Sequence, residues 1–367
     1  MVRLRSPRAA FDKAQPKDWN DHFYLLIMAG GVGTRLWPKS REKTPKQFQK
    51  IVGNETLLRT TFKRVRPLVR SVDHILVSTN QQYAKLARKE LPELPAKNLI
   101  VEPVSRNTAP AMAVAAWLIN KRDPEAIVTT APSDHVVLKE KNYYKAIETA
   151  VSVLEKEPHN LLTVGIKPTY PDTGYGYIKL GRPYRPMRAQ KIFHVAKFVE
   201  KPDEKTAHRY VDSGKYLWNA SYFVWQAEHF LKLVKEHLPI LYRKLPEYPR
   251  YFETFPNVPI DTAIAEKTRN MLVVPADLGW SDIGSWAAVF DIMAKKDGAN
   301  VTDGEVLTID TENCLIHGAD RLIATVGLKN VVVVDTGDVI LIAEKGDSQR
   351  VKEVIEQLRV KGEKKYL

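Results

Sequence analysis

The residues with the most evident chemistry lie in AGGVGTRLWPKSREKTPKQF, residues 29–48. Gly30, Gly31 and Gly33 follow an apolar run that ends at Ala29. Glycine lets a backbone come close to phosphate oxygens and turn its N–H groups toward them. Gly30, Gly31 and Gly33, with Ala29 and Thr34 beside them, are a candidate nucleotide-binding turn, and also read as a plain tight turn. Two common phosphate motifs are excluded. A Walker loop closes with Gly-Lys-Ser/Thr, whereas Gly33 is followed by Thr34 and Arg35, and a dinucleotide fingerprint has glycine where Leu36 stands. The cations Arg35, Lys39, Arg41, Lys43 and Lys46 come next. A guanidinium can fork across two phosphate oxygens and an ammonium can act as a point charge, so Arg35 and Lys46 are the candidate catalytic cations. Lys39, Arg41 and Lys43 also read as a solvated basic surface. Pro38 and Pro45 break any continuous helix, which predicts an ordered or mobile lid loop.

Such a loop must be mounted on a strand. Residues 23–29 are a short apolar run of that kind, and 74–78, 126–130, 161–165 and 272–274 resemble it. Helical patterns over 57–69, 82–91, 109–120 and 143–155 alternate with them. Asn54 or Glu55 marks one helix start, and Thr108 with Pro110 marks another. This alternation predicts an α/β fold with a Rossmann-like, mixed, mostly parallel sheet flanked by helices. Near residue 297 the composition shifts to short β-rich runs: 306–309, 314–317, 322–326, 331–335 and 339–343. They predict a small C-terminal β domain, closed by an amphipathic helix over 347–361 with Val351, Val354, Ile355 and Leu358 on one face. No internal repeat is legible. The expected organisation is a basic extension over 1–20, a catalytic domain over 21–295 and the β-rich domain over 296–367.

With 44% apolar and 27% charged residues, the composition is that of a globular chain with a real core. Cys314 is the only cysteine, which excludes an intrachain disulfide and a cysteine-rich zinc site and fits a reducing cytoplasm. No long apolar run predicts a membrane span, and residues 1–20 lack the apolar stretch of a secretory signal. The formal net charge of +13 suits either nucleic acid or small polyanions. Without a nucleic-acid-binding motif, the charge reads as a solvated basic surface or as attraction of phosphorylated metabolites, which are the expected partners, with no nucleic acid and no membrane.

GGVGTRLWPKSREKTPK resembles, with one extra spacer residue, the signature G-G-x-G-x-R-L-x-P-x-S/T-x-x-x-P-K of the sugar-phosphate nucleotidylyltransferases. Its P-K-Q-F ending is most similar to the guanylyltransferase branch that acts on mannose 1-phosphate. The resemblance covers roughly residues 22–345. It implies the nucleotidyltransferase fold, transfer of GMP from GTP to α-D-mannose 1-phosphate, a Mg2+ cofactor and a homodimer. Asp134, in APSDH, and Asp282, in LGWSDIGSW, match the segments whose aspartates hold the metal. Each also reads as an ordinary turn or cap residue. Magnesium takes one or two carboxylates together with phosphates and water, which suits this pair.

EPVSRNTAPA, residues 102–111, is similar to the segment beside the base. Guanine presents N1–H and N2–H2 side by side, and the Glu102 carboxylate can accept both. Asn107, Thr108 and Ser133 complete the implied nucleotide contacts, and Thr108 reads equally as a helix cap. Three segments resemble the sugar-phosphate site: DTGYGYI with Tyr175 and Gly176, FVEKP with Glu200 and Lys201, and WNASYF with Asn219. A buried structural ion pair is the other reading of Glu200 and Lys201, and Trp218 reads as packing. The family's usual glycine in the last segment is replaced by Ser221, which a positive φ would strain. Asp261, Glu266 and Lys267 keep a further pattern without an expected direct contact, Lys267 being a supporting candidate. The alternatives are a thymidylyl- or uridylyltransferase acting on glucose 1-phosphate, or a catalytically silent homologue. Residues 346–367 leave no room for the isomerase domain of longer bacterial relatives, so a single activity is expected.

Overall fold

The structure, a computed structural model, describes residues 21–31, 33–184, 190–294 and 296–367. The extension expected over 1–20 lies outside the described residues. The first eleven strands are β1 (Phe23–Met28), β2 (Ile75–Asn80), β3 (Leu99–Glu102), β4 (Ile127–Pro132), β5 (Val136–Val137), β6 (Leu161–Ile166), β7 (Gly176–Pro183), β8 (Phe193–Val199), β9 (Tyr216–Gln226), β10 (Met271–Ala276) and β11 (Trp280–Ser281). Nine form one sheet in the order β3-β2-β1-β4-β9-β6-β10-β8-β7. β5 and β11 pair separately as a short antiparallel ladder. β8 and β9 run against the other strands, so the sheet is mixed.

β1 shows why this sheet is covered on both faces. Phe23, Leu25 and Ile27 enter one apolar core, and Tyr24 and Leu26 enter the other. Successive side chains of a strand point to opposite faces, so an unbroken apolar run needs cover on each. Helices α1 (Leu57–Val65), α2 (Ala84–Glu90), α3 (Thr108–Arg122) and α4 (Glu140–Leu154) connect the strands. Phe62 of α1, Ala87 of α2 and Ile147 of α4 join the first core, and Ala113 and Ala116 of α3 join the second.

Helix α1 ends earlier than its pattern predicts. Pro67 lacks an N–H donor, and the chain tightens into a 3-10 turn over Arg66–Leu68. The caps also differ from expectation. Thr56 accepts from the Arg59 N–H, and Asn107, not Thr108, accepts from the Thr108 N–H. The long strand β9 escapes the sequence reading because its buried residues fall on both faces and leave no period-two alternation.

The C-terminal strands are β12 (Val301–Asp303), β13 (Val306–Ile309), β14 (Leu315–His317), β15 (Ile323–Val326), β16 (Val331–Asp335) and β17 (Ile340–Glu344). β12, β14 and β16 stack in parallel, as do β13 and β15, so the chain winds as a coil that antiparallel β17 closes. Val301, Leu315 and Val332 stack in register but are unequally spaced in sequence, which hides the repeat. A 3-10 turn, Lys345–Arg350, leads into the final helix Val351–Val360. Val351 and Ile355 are buried there, whereas Val354 is exposed. A third core joins Leu36, Trp37, Ile283 and Trp286 to Val301, Leu315, Val332 and Ile355, and so packs the coil against the glycine loop. Among the described residues no helix is long and apolar enough to cross a membrane.

Candidate active site

The glycine turn is held from behind. Gln47 Nε2 donates to the carbonyls of Ala29 (3.1 Å) and Gly31 (2.8 Å), and Asn80 Nδ2 donates to Gly30 O (3.1 Å). Gly30 and Gly31 line a cleft of about 540 Å³, whereas Ala29 is buried below it. Thr34 and Arg35 follow in a 3-10 turn over Thr34–Leu36. Gly33 has φ +67°, and a Cβ there would stand 2.5 Å from Lys46 Cγ. Only glycine lets the lysine stem cross at this point. The buried Lys46 Nζ then lies 2.9 Å from Asp134 Oδ2 and donates to Asp282 O at 2.8 Å. The sequence reading singled out Lys46, Asp134 and Asp282 separately, and the fold brings them together.

Glu102, at the end of β3, lines the large cleft and is 4% exposed. Ser78 Oγ donates to its Oε1 at 2.7 Å. Burial pushes this carboxyl up to about 7 against the opposing Ser78 hydrogen bond. Asn107 and Thr108 border the same cleft. The Thr108 hydroxyl also accepts from the Ile260 N–H at 2.8 Å, which fixes that segment to the start of α3. Ser133 is buried between Pro132 and Asp134, both of which border the cleft, with its N–H on Met28 O at 3.0 Å. Ser221 borders the cleft, and its φ of +55° is the conformation the replaced glycine would favour.

His135 was not singled out from the sequence, although it adjoins Asp134. Its Nδ1 accepts from Trp280 Nε1 at 3.1 Å, and its Nε2 is 4.0 Å from Asp134 Oδ1. Burial lowers its pKa to about 4 despite the two nearby aspartates Asp134 and Asp282, so it is neutral at pH 7. Burial also pushes the Asp134 carboxyl upward, but Lys46 and His135 outweigh it and hold it below the usual range. Among the described residues no group of three or more acidic, histidine or cysteine side chains is placed to hold a metal.

A second, smaller cavity of about 170 Å³ is bordered by Arg35, Asp172, Tyr175 and Asp282 and, from the C-terminal part, by Ser348 and Gln349. Arg35 Nη1 donates to Gln349 Oε1 at 3.0 Å. Tyr175 OH donates to Asp282 Oδ1 at 2.8 Å. The other proposed sugar residues gather nearby in the sheet. Gly176 on β7 pairs with Asn219 on β9, and a Cβ on Gly176 would meet Glu200 Oε2 at 2.9 Å. Asn219 Nδ2 donates to Asp261 Oδ1 at 2.5 Å, a partner the sequence did not reveal. Burial pushes the Asp261 carboxyl upward. Glu200 and Lys201 form an exposed pair at 2.8 Å rather than a buried one, and Lys267 is exposed.

The basic tail of the glycine loop is docked on the C-terminal part. Lys39 Nζ lies 2.6 Å from His317 Nε2, and His317 Nδ1 lies 2.8 Å from Asp303 Oδ2. Burial lowers Lys39 to about 8. Arg41 makes two 2.7 Å contacts to Asp338, and Trp37 Nε1 donates to Tyr366 O at 2.6 Å. Of the three cations read as solvated, Lys43 alone is exposed, and Lys39 and Arg41 are partly buried. The loop is therefore an ordered junction between the two parts of the chain.

The sequence model of the nucleotidyl transferase family matches residues 24–297. The chain belongs to that family. A second match, to the mannose-phosphate isomerase/GMP-like beta-helix domain, covers residues 304–358. Mannose-1-phosphate guanylyltransferase 2 of Escherichia coli O157:H7 is 36% identical over 363 residues, spanning 93% of this chain and 74% of that protein. Xanthan biosynthesis protein XanB of Xanthomonas campestris pv. campestris (strain B100) is 37% identical over 353 residues, 92% of this chain and 73% of its own. Among solved structures, a protein of Thermus thermophilus described as a mannose-1-phosphate geranyltransferase superposes with a TM-score of 0.83 at 30% identity. That match covers 92% of this chain and 99% of the other.

Proposed function

We propose that this nucleotidyl transferase moves GMP from GTP to α-D-mannose 1-phosphate, giving GDP-mannose and pyrophosphate. The observation that carries the guanine reading is the buried Glu102 carboxyl facing the cleft. Its Oε1 accepts from Ser78, and its remaining lone pairs can accept the N1–H and N2–H2 of guanine together. The names of the relatives support mannose 1-phosphate as the acceptor.

In this reaction an oxygen of the sugar phosphate attacks the α-phosphorus, and the bond to pyrophosphate breaks. The nucleophile is already an anion, so no general base is needed, and the protein's work is positioning and charge stabilisation. Gly30 and Gly31 bring backbone to the phosphates. Lys46 places a buried positive charge between the Asp134 and Asp282 segments, and Arg35 offers its free donors to phosphate oxygens. Tyr175, Gly176, Glu200, Lys201 and Asn219 orient the sugar phosphate, with Asp261 fixing the Asn219 amide.

Asp134 and Asp282 would hold Mg2+. Two carboxylates are hard oxygen donors and suit an ion that completes its shell with phosphates and water. When bound, it neutralises phosphate charge and fixes their orientation. Pyrophosphate release across a matrix of nucleoside triphosphates and hexose 1-phosphates tests the proposal. GTP with mannose 1-phosphate should give the highest kcat/KM. Preference for dTTP or UTP with glucose 1-phosphate would instead assign the chain to another branch, and silence with every pair would mark a non-catalytic homologue. A homodimer in the cytoplasm is part of the proposal, to be checked by light scattering and cell fractionation.

A further inference from the structure

Ile283 is a β-branched residue at φ +49°, a backbone region that side chains of this shape rarely enter. It is 0% exposed and packs in the core shared by Trp37, Trp286 and Val301. It directly follows Asp282, and the turn around that aspartate is tied at several points. Ser281 Oγ accepts from the Ile283 N–H at 3.1 Å, and the Gly284 N–H donates to Asp282 Oδ1 at 2.9 Å. Lys46 Nζ reaches the Asp282 carbonyl, while Tyr175 reaches its carboxylate. A strained residue persists where its surroundings over-determine it. Here the surroundings are an apolar core on one side and the Lys46–Asp282 contact on the other.

We infer that Ile283 is a positioning residue: its side chain, locked in the junction core, holds the turn in the left-handed conformation that aims Asp282 at the reacting phosphates. The inference rests on the reading of Asp282 as a metal-holding acid. Ile283 touches no substrate and acts only through its neighbour. Its anchorage also ties the turn to the C-terminal coil, since Val301 and Leu315 belong to the same core.

Three variants separate positioning from packing. Ile283→Val keeps the branch and most of the packing, and should stay within about twofold of wild type in kcat. Ile283→Gly frees the backbone, and should lower kcat about tenfold or more while KM for GTP stays within about twofold. Val301→Ala removes packing from the same core but leaves the turn anchored, so Tm should fall with kcat unchanged at a temperature where the variant is folded. Binding of Mn2+ followed by electron paramagnetic resonance gives a readout independent of turnover. Affinity measured with GTP present should drop about tenfold for Ile283→Gly and not for Val301→Ala. The proposal is overturned if Ile283→Gly retains wild-type kcat and Mn2+ affinity, or if both cavity-forming variants lose activity in proportion to Tm. Should the wild type bind Mn2+ but form no GDP-mannose, the assigned reaction fails while the Mn2+ comparison still decides the role of Ile283.

Discussion

The cleft at Glu102 takes its walls from the ends of β1, β3 and β4, the start of α3 and the segment around Ile260. The cavity at Arg35 takes its walls from the glycine-loop tail, residues 170–175 and 282–291, and the C-terminal Lys345–Arg350 turn. One is largely a product of neighbouring strands in a sheet. The other is bordered by residues from both the catalytic part and the C-terminal part of the chain, which share one core. Lys46 and the two aspartates stand between them, with Asp134 bordering the first and Asp282 the second. On the proposed reading, base choice is tuned locally, whereas charge handling depends on long-range packing.

The most severe test of that contrast is Lys46→Ala. Loss of a buried cation at the meeting point should lower kcat about a thousandfold, with KM for GTP little changed, measured by pyrophosphate release. If only Tm falls, Lys46 is a structural brace. Arg35→Ala, confined to the smaller cavity, should lower kcat about a hundredfold. Turnover near wild type under saturation would remove Arg35 from the charge-handling group.

On the other side, Glu102→Gln should act on base choice and spare kcat. An amide presents a donor where guanine also has donors, so kcat/KM for GTP should fall roughly tenfold to a hundredfold. The same carboxyl sets a pH dependence. Its folded pKa is raised to about 7 by burial, so near that pH half of the free protein carries the neutral form. The anion accepts both guanine donors, and GTP affinity should therefore strengthen between about pH 6 and about pH 8. The Gln variant should show a flatter profile, and matching profiles would assign the dependence to another group.

Weaker effects test the junction. Arg41→Ala removes a bidentate contact between exposed and half-buried partners, and should cost about 1 kcal/mol and a few-fold in kcat. The smallest change expected is Ser221→Gly. It relieves a left-handed serine and should raise Tm by about 2 °C, corresponding to roughly 0.5–1 kcal/mol, with activity near wild type. A fall in Tm would mean that the Ser221 side chain contributes more than its backbone costs.

Much of this was legible in the chain itself. The residues of β1 and of α3 predicted a sheet with helices on both faces, because an apolar run without alternation demands two-sided cover. The family resemblance selected Asp134, Asp282, Glu102 and Asn219 from dozens of polar residues. The two bonds from Gln47 to the glycine turn and the bond from Asn219 to Asp261 were missed because no local pattern announces such partners. His135 was passed over because its neutrality comes from burial, which its neighbours in sequence do not encode. The coil was read as β-rich but not as a coil, since its turns differ in length.

Element types, the glycine turn and the kinds of side chain available to a phosphate, a base and a metal are all written in the amino-acid order. They follow from short-range sterics, hydrophobic period and the donor or acceptor character of single residues. Which cations dock on the C-terminal part and which lies at the two aspartate segments is decided by the fold. Lys39 and Arg41 look equivalent to Lys46 along the chain, yet they dock on His317 and Asp338, while Lys46 is buried between two aspartate segments. A charge taken out of water needs a partner, and long-range packing alone fixes which partner is within reach.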